Sequence, residues 1–137
     1  MISVVVWRLV GASQVVLGLS HALIWRRLGW TAESRKLSPL TARVFAAHTF
    51  FIAFVLTALG SLEVLRPDLL ETRGGLARLF LGAATVFFTL RLFAQPLWFD
   101  PVLLPGSRWR TTVRIVAATG FASYVVTYAA AFARQLR

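Results

Sequence analysis

Four long apolar segments dominate this sequence. They cover about residues 3–25, 40–62, 76–97 and 111–133, and each is close to the roughly 20 residues that an α-helix needs to cross a bilayer. Only 15% of the 137 residues are charged and 58% are hydrophobic, whereas about 25% are charged in soluble globular domains. The sequence therefore predicts an all-α integral membrane protein: one domain over residues 1–137, an antiparallel bundle of four transmembrane helices embedded in the lipid bilayer.

Local signals at the ends of the segments agree with these limits. Ser38 followed by Pro39 is typical of a helix N-terminus, and the pair Gly74 and Gly75 interrupts the chain before the third segment. The first segment has the length of a signal peptide, but Arg8 interrupts it and no small-residue cleavage site follows clearly. We therefore expect the first segment to remain a membrane span.

Charge and composition exclude several classes of function. The net charge is +10, yet most of the basic residues lie between the apolar segments or near their ends and form no continuous tract, which argues against nucleic acid as a partner. The sequence has no cysteine, so disulfides, thiolate metal sites and cysteine nucleophiles are excluded. None of the acidic residues falls in the middle of a segment, and we do not expect a stand-alone enzyme. These acids are Glu33, Glu63, Asp68, Glu71 and Asp100.

The distribution of arginine and lysine predicts the orientation. Loops 26–38 and 98–110 follow the first and third segments, so they lie on the same side of the membrane. Together with their flanks they contain eight basic residues against two acidic ones; the basic residues are Arg26, Arg27, Arg35, Lys36, Arg43, Arg108, Arg110 and Arg114. We expect these loops in the cytoplasm, both termini outside, and the protein in the bacterial inner membrane.

One face of the first segment combines small, polar and aromatic residues. Small residues let a neighbouring helix approach closely, and polar side chains are costly against lipid. The residues recur at spacings of three and four, which places them on one side of a helix. We expect this face to be buried; it contains Trp7, Gly11, Gln14, Gly18, His21 and Trp25.

The third and fourth segments show comparable patterns. The third predicts an inner face of Ala84, Phe87, Phe88, Arg91, Gln95 and Trp98. The fourth has a stripe of small, weakly polar residues that we expect to pack against a neighbour, with their hydroxyl groups bonded locally. This stripe consists of Thr112, Val116, Thr119, Ser123 and Thr127.

Antiparallel topology predicts that several polar residues share one layer. Both histidines, His21 and His48, would lie roughly 6 to 8 Å inside the interface on the side of the long loops, at about 1.5 Å per residue. Arg91 and Gln95 fall at a similar depth, and tryptophans lie nearer the interface. We call this predicted set the polar layer: His21, His48, Arg91, Gln95, Trp25 and Trp98.

The polar layer predicts a pocket for a redox ligand near the cytoplasmic face. In one hypothesis the ligand is haem b, with His21 and His48 as axial ligands of the iron and with room for the macrocycle at Gly18. In the other it is a quinone. Arg91 and Gln95 would then anchor the haem propionates or the quinone head. Either ligand implies a small subunit of an electron-transfer complex.

The alternative hypothesis is a structural or assembly subunit without ligand chemistry. In that case Arg91 only extends its charge towards the interface, and the tryptophans form the usual interfacial belt. Both hypotheses predict other membrane subunits, or further copies of this chain, as partners.

Overall fold

The computed structural model describes residues 2–27, 29–99 and 108–137. Over these residues the chain is helical and contains no β-strand. Four of the described helices are long and apolar enough to cross a membrane, over Val4–Leu23, Pro39–Leu65, Gly75–Leu97 and Thr111–Gln135. They coincide with the four apolar segments, so the all-helical prediction and the positions of the long helices are confirmed.

Two compact units make up the described chain. The first hairpin is Ser3–Pro67 and contains α1 (Val4–Arg27), α2 (Trp30–Ser34) and α3 (Pro39–Leu65). The second hairpin is Asp68–Arg137 together with Ile2. It contains α4 (Asp68–Glu71), α5 (Gly75–Ala94), a π-helical turn (Gln95–Phe99) and α6 (Arg108–Gln135).

Local chemistry sets the helix ends of the first hairpin. Ser38 caps α3, because its hydroxyl accepts a hydrogen bond of 3.2 Å from the Thr41 amide and Pro39 occupies the first turn. Between α1 and α2, Gly29 adopts a left-handed conformation with φ of 69°, which glycine reaches without steric cost. The N-terminus of the second span is therefore where the sequence predicts it.

Direct backbone contact holds α1 against α3. A Cβ atom added to Gly11 would lie 2.5 Å from the Gly60 carbonyl oxygen, and one added to Gly18 would lie 2.8 Å from the Ala53 carbonyl oxygen and overlap the Thr57 hydroxyl. Since position 11 meets position 60 and position 18 meets position 53, the two helices run antiparallel. Glycine is needed here because any larger residue would push the backbones apart.

Aromatic rings form the core of the second hairpin. Phe88 is fully buried and lies 4.9 Å from Tyr124 and 5.4 Å from Tyr128, measured between ring centroids, with the Tyr128 ring nearly parallel to it. Phe80 also contacts Tyr128, and Phe88 contacts Phe121. Such ring pairs add to the stabilisation from apolar burial alone. Their order along the chain shows that α5 and α6 run antiparallel.

The π-helical turn at the end of α5 follows from Pro96. Proline has no amide hydrogen, so the regular helical bond to the residue four positions earlier is lost. A wider turn over Gln95–Phe99 continues the chain at this point.

The predicted face of α1 is the buried face. Trp7 and Gln14 are fully buried, and Gly11 and Gly18 contact α3 directly. The pattern on α5 is confirmed for Ala84, Phe88 and Gln95, which are buried, and is wrong for Phe87, which is 47% exposed. Phe87 lies about 100° around the helix from Phe88, so it faces away from α6.

The predicted packing stripe of α6 is not the face that packs against α5. Three of its buried residues are aromatic; the buried residues of α6 are Phe121, Tyr124, Tyr128, Ala131 and Gln135. In the stripe, Thr119 and Ser123 are exposed. The Ser123 hydroxyl donates to the Gly120 carbonyl at 2.7 Å and that of Thr127 to the Ser123 carbonyl at 2.8 Å. The hydroxyls are thus bonded locally, as expected, and the large rings bury more apolar surface.

Candidate functional site

A buried polar pair connects the two long helices of the first hairpin. The side-chain amide nitrogen of Gln14 donates to both carboxylate oxygens of Glu63, at 3.2 and 3.1 Å. Both side chains are fully buried. Gly11 and Gly60 create the space for them, since a Cβ atom on Gly60 would lie 3.0 Å from the Gln14 Cβ atom. We call Gln14 and Glu63 the buried pair.

A carboxyl group in this position is energetically demanding. Removing it from water is costly unless hydrogen bonds compensate, and the Gln14 amide supplies such bonds. Ionisable groups inside helices of membrane length are rare and frequently functional. The buried pair is therefore a candidate site for proton or ligand chemistry in the first hairpin.

A buried Glu63 was not predicted from the sequence, because this residue directly follows the apolar segment 40–62. In the structure α3 extends to Leu65 and includes it. A usable signal was present: Leu56, Gly60 and Glu63 follow one another at spacings of four and three, and all three are buried. The same spacing rule that identified the inner face of α1 identifies this face of α3.

His21 is held by its own helix. Its Nδ1 atom lies 2.8 Å from the Leu17 carbonyl oxygen, and the side chain is half-buried. A carbonyl oxygen can only accept, so Nδ1 bears the hydrogen, and in the neutral imidazole Nε2 has the lone pair. Histidines that ligate metals are commonly oriented in this way by a backbone carbonyl.

His48 has a different environment. It is exposed on α3, whereas its neighbour Thr49 is half-buried and donates its hydroxyl to the Phe45 carbonyl of the same helix at 2.9 Å. In the first hairpin the His21 side chain is thus half-buried and the His48 side chain is exposed. The space expected at Gly18 for a macrocycle is occupied by Thr57 and the Ala53 backbone.

Trp25 belongs to an aromatic cluster at the loop end of the first hairpin. Its ring centroid lies 5.3 Å from that of Phe45 and 5.8 Å from that of Trp30, and its indole nitrogen donates to the Thr31 hydroxyl at 2.9 Å. Trp30 and Phe45 are 5.2 Å apart. The cluster packs α2 against the ends of α1 and α3, one turn beyond His21.

In the second hairpin the structure brings Arg91 and Gln95 together. The Arg91 guanidinium donates to the Gln95 side-chain oxygen at 3.0 Å and lies 4.6 Å from the centroid of the Phe121 ring. Gln95 is buried and Arg91 is half-buried. The ring and the amide stabilise the cation where water is scarce. The side chain of Trp98, also predicted for this site, lies outside the described residues.

The described residues contain no cluster of three or more histidine or acidic side chains that could hold a metal ion. Comparison with known protein families, curated proteins and solved structures finds no match for this chain. That the histidines of the first hairpin share a layer with Arg91 and Gln95 stays a prediction.

Proposed function

We propose that this chain is an integral membrane protein that crosses the bilayer four times, as the antiparallel four-helix bundle predicted from its sequence. One observation carries the proposal: large apolar side chains are exposed along all four long helices. Examples are Val16, Phe54, Leu90 and Val126, each 59% exposed or more. Soluble monomers rarely expose apolar surface on this scale, whereas lipid solvates it.

The distribution of polar groups supports the same location. The buried pair is enclosed between α1 and α3, and Arg91 with Gln95 lies between α5 and α6. Enclosing strongly polar side chains of this kind between helices avoids the cost of exposing them to hydrocarbon.

We propose further that the protein acts as a small subunit of a larger membrane assembly, with other membrane proteins or a second copy as partner. Thr119 and Ser123 support this role, because they are exposed on α6 in the middle of an apolar helix. Small, weakly polar residues are favoured where helices dock in membranes. We place loops 26–38 and 98–110 in the cytoplasm of a bacterial inner membrane and both termini outside.

Single cysteines test the insertion and the orientation directly, because the sequence has no cysteine of its own. Ala32→Cys reports on the loop after the first span and Gly74→Cys on the loop before the third. Both positions are exposed, and a Cβ atom at Gly74 meets no neighbour within 4 Å. In intact spheroplasts an impermeant maleimide should label only Gly74→Cys, and permeabilisation should add Ala32→Cys. Release of the protein by alkaline carbonate would refute membrane insertion, and the reverse labelling pattern would refute the orientation.

A second function, binding of haem b or a quinone in an electron-transfer complex, is favoured by the geometry of His21. With Nδ1 bonded to the Leu17 carbonyl, the Nε2 lone pair of the neutral imidazole can ligate iron or accept a hydrogen bond from a quinol hydroxyl. The exposed position of His48 favours a ligand that uses one imidazole of this hairpin.

A reduced-minus-oxidised absorption spectrum of the purified protein separates these ligands. A b-type spectrum that disappears in His21→Ala supports haem, and His48→Ala shows whether the second histidine is also a ligand. A colourless protein refutes haem. Lipid extraction should then yield a quinone in stoichiometric amount from the native protein and less from His21→Ala; no quinone in either sample would refute the redox function.

A further inference from the structure

A basic cavity lies in the second hairpin, where the end of α6 meets the connection from α4 to α5. Its volume is about 330 Å³, within the range of small-molecule sites. Leu70 and Ala131 form an apolar part of its wall and are buried, at 3% and 4% exposure. The cavity is therefore lined by both apolar and charged groups.

Arginine dominates the charge of this cavity. Arg73, Arg134 and Arg137 line it, together with the single acid Glu71. One carboxylate oxygen of Glu71 accepts a hydrogen bond of 3.1 Å from the Ile2 amide. None of the three guanidinium groups bonds or pairs with another residue in the described part of the chain. The lining side chains contribute three positive charges and one negative charge, which favours an anion as the ligand.

Gln135 adds a second, independent feature. It lines the cavity and is more than nine-tenths buried, and its amide nitrogen donates to the Leu70 carbonyl at 3.4 Å and the Thr72 carbonyl at 3.2 Å. These two acceptors fix which way the amide points. The side-chain oxygen of Gln135 is then buried without a hydrogen-bond partner. A buried acceptor of this kind requires a donor.

We propose that this cavity binds the headgroup of an anionic glycerophospholipid that has a free hydroxyl, such as phosphatidylglycerol. The phosphate pairs with the arginines, the hydroxyl donates to the side-chain oxygen of Gln135, and Leu70 and Ala131 contact the first carbons of the acyl chains. A lipid fits better than free phosphate, because part of the wall is apolar and a phospholipid joins an anionic headgroup to acyl chains. The inference rests on the membrane location proposed above.

Native mass spectrometry of the detergent-purified protein, titrated with phosphatidylglycerol or phosphatidylcholine, tests this site. The native chain should retain phosphatidylglycerol preferentially. The double variant Arg73→Gln/Arg134→Gln should bind it about 25-fold more weakly, at roughly fivefold for each arginine near a membrane surface. The matched control is Arg8→Gln/Arg43→Gln, which removes the same charge from exposed positions of the first hairpin and should bind like the native chain.

A second lipid tests the proposed hydrogen bond between the headgroup hydroxyl and Gln135. Phosphatidylmethanol has the same phosphodiester charge but no free hydroxyl, so it should bind about fivefold more weakly than phosphatidylglycerol, as expected for one lost hydrogen bond. Equal affinity for these two lipids would show that the lipid hydroxyl does not bond to Gln135.

Three other results would overturn the proposal. They are equal retention of phosphatidylcholine, equal loss of binding in the control, and displacement of the lipid by inorganic phosphate at comparable concentration, which would indicate a free-anion site. Carbonate extraction shows whether such a result refutes only the lipid site or also the proposed membrane insertion. A protein that stays in the membrane without any preference for phosphatidylglycerol loses only the lipid site.

Discussion

Replacing Gly60 with alanine tests the packing of the first hairpin. The added Cβ atom would overlap the Gly11 carbonyl oxygen and lie 2.9 Å from the Val15 amide nitrogen and 3.0 Å from the Gln14 Cβ atom. Two of these three atoms belong to the backbone of α1, which cannot rotate away as a side chain can. The helices must therefore separate locally, by roughly 1 Å, to restore ordinary contact distances.

The cost has two parts. Overpacking in a close-packed interior costs about 1–3 kcal/mol. Separation also lengthens the hydrogen bonds of the buried pair, now 3.1 and 3.2 Å, towards distances at which they weaken. Alanine gains about 1 kcal/mol over glycine in a helix in water, but less when the helices persist in the unfolded state, as they do in membranes. We expect a net destabilisation of about 2 kcal/mol.

Reversible unfolding in mixed micelles, by titration with dodecyl sulfate, measures this difference. Tryptophan fluorescence follows the transition, because Trp7 is fully buried on α1. The matched control is Gly120→Ala in α6, where an added Cβ atom meets no neighbour within 4 Å; it should change the free energy of unfolding by less than about 0.5 kcal/mol. If the two variants are equally stable, the backbone contact between Gly11 and Gly60 does not exist.

Two further predictions use the same titration. Gln14→Leu should destabilise the protein by about 2 kcal/mol, because it removes a donor from the buried Glu63 carboxyl group. The double variant Gln14→Leu/Glu63→Leu should recover part of that loss, since replacing both polar partners with apolar groups is less costly; strictly additive effects would argue against the buried pair. Phe88→Ala should cost about 3 kcal/mol, as for a fully buried aromatic residue, and Phe87→Ala less than about 1 kcal/mol. A reversed order would mean that α5 packs through its other face.

The long helices can be predicted from the sequence because each one is defined by a long apolar stretch within its own segment. Crossing hydrocarbon requires a continuous apolar stretch, and the caps at Ser38 and the glycines before α5 limit where such a stretch can begin. The inner face of α1 is also readable, since Gln14 and the two glycines Gly11 and Gly18 mark one side of an otherwise apolar helix.

Other inner faces were ambiguous because apolar residues surround the helix on all sides. On α6 both the aromatic residues and the threonine stripe follow helical spacing, and periodicity alone does not rank them. The choice depends on α5, whose Phe88 provides a surface for Tyr124 and Tyr128. Phe88 lies on a different helix, so its position cannot be inferred from the sequence of α6 alone.

The sequence by itself determined that this protein contains four long apolar helices and that the connections after the first and third of them are basic, because helix length and the cost of charge in hydrocarbon are properties of each segment alone. Only the tertiary structure decided that Glu63 lies inside, paired with Gln14, and that His48 is exposed while His21 is half-buried. These outcomes depend on how far each helix is rotated against its partner. For α1 and α3, contact between their glycine backbones sets that rotation.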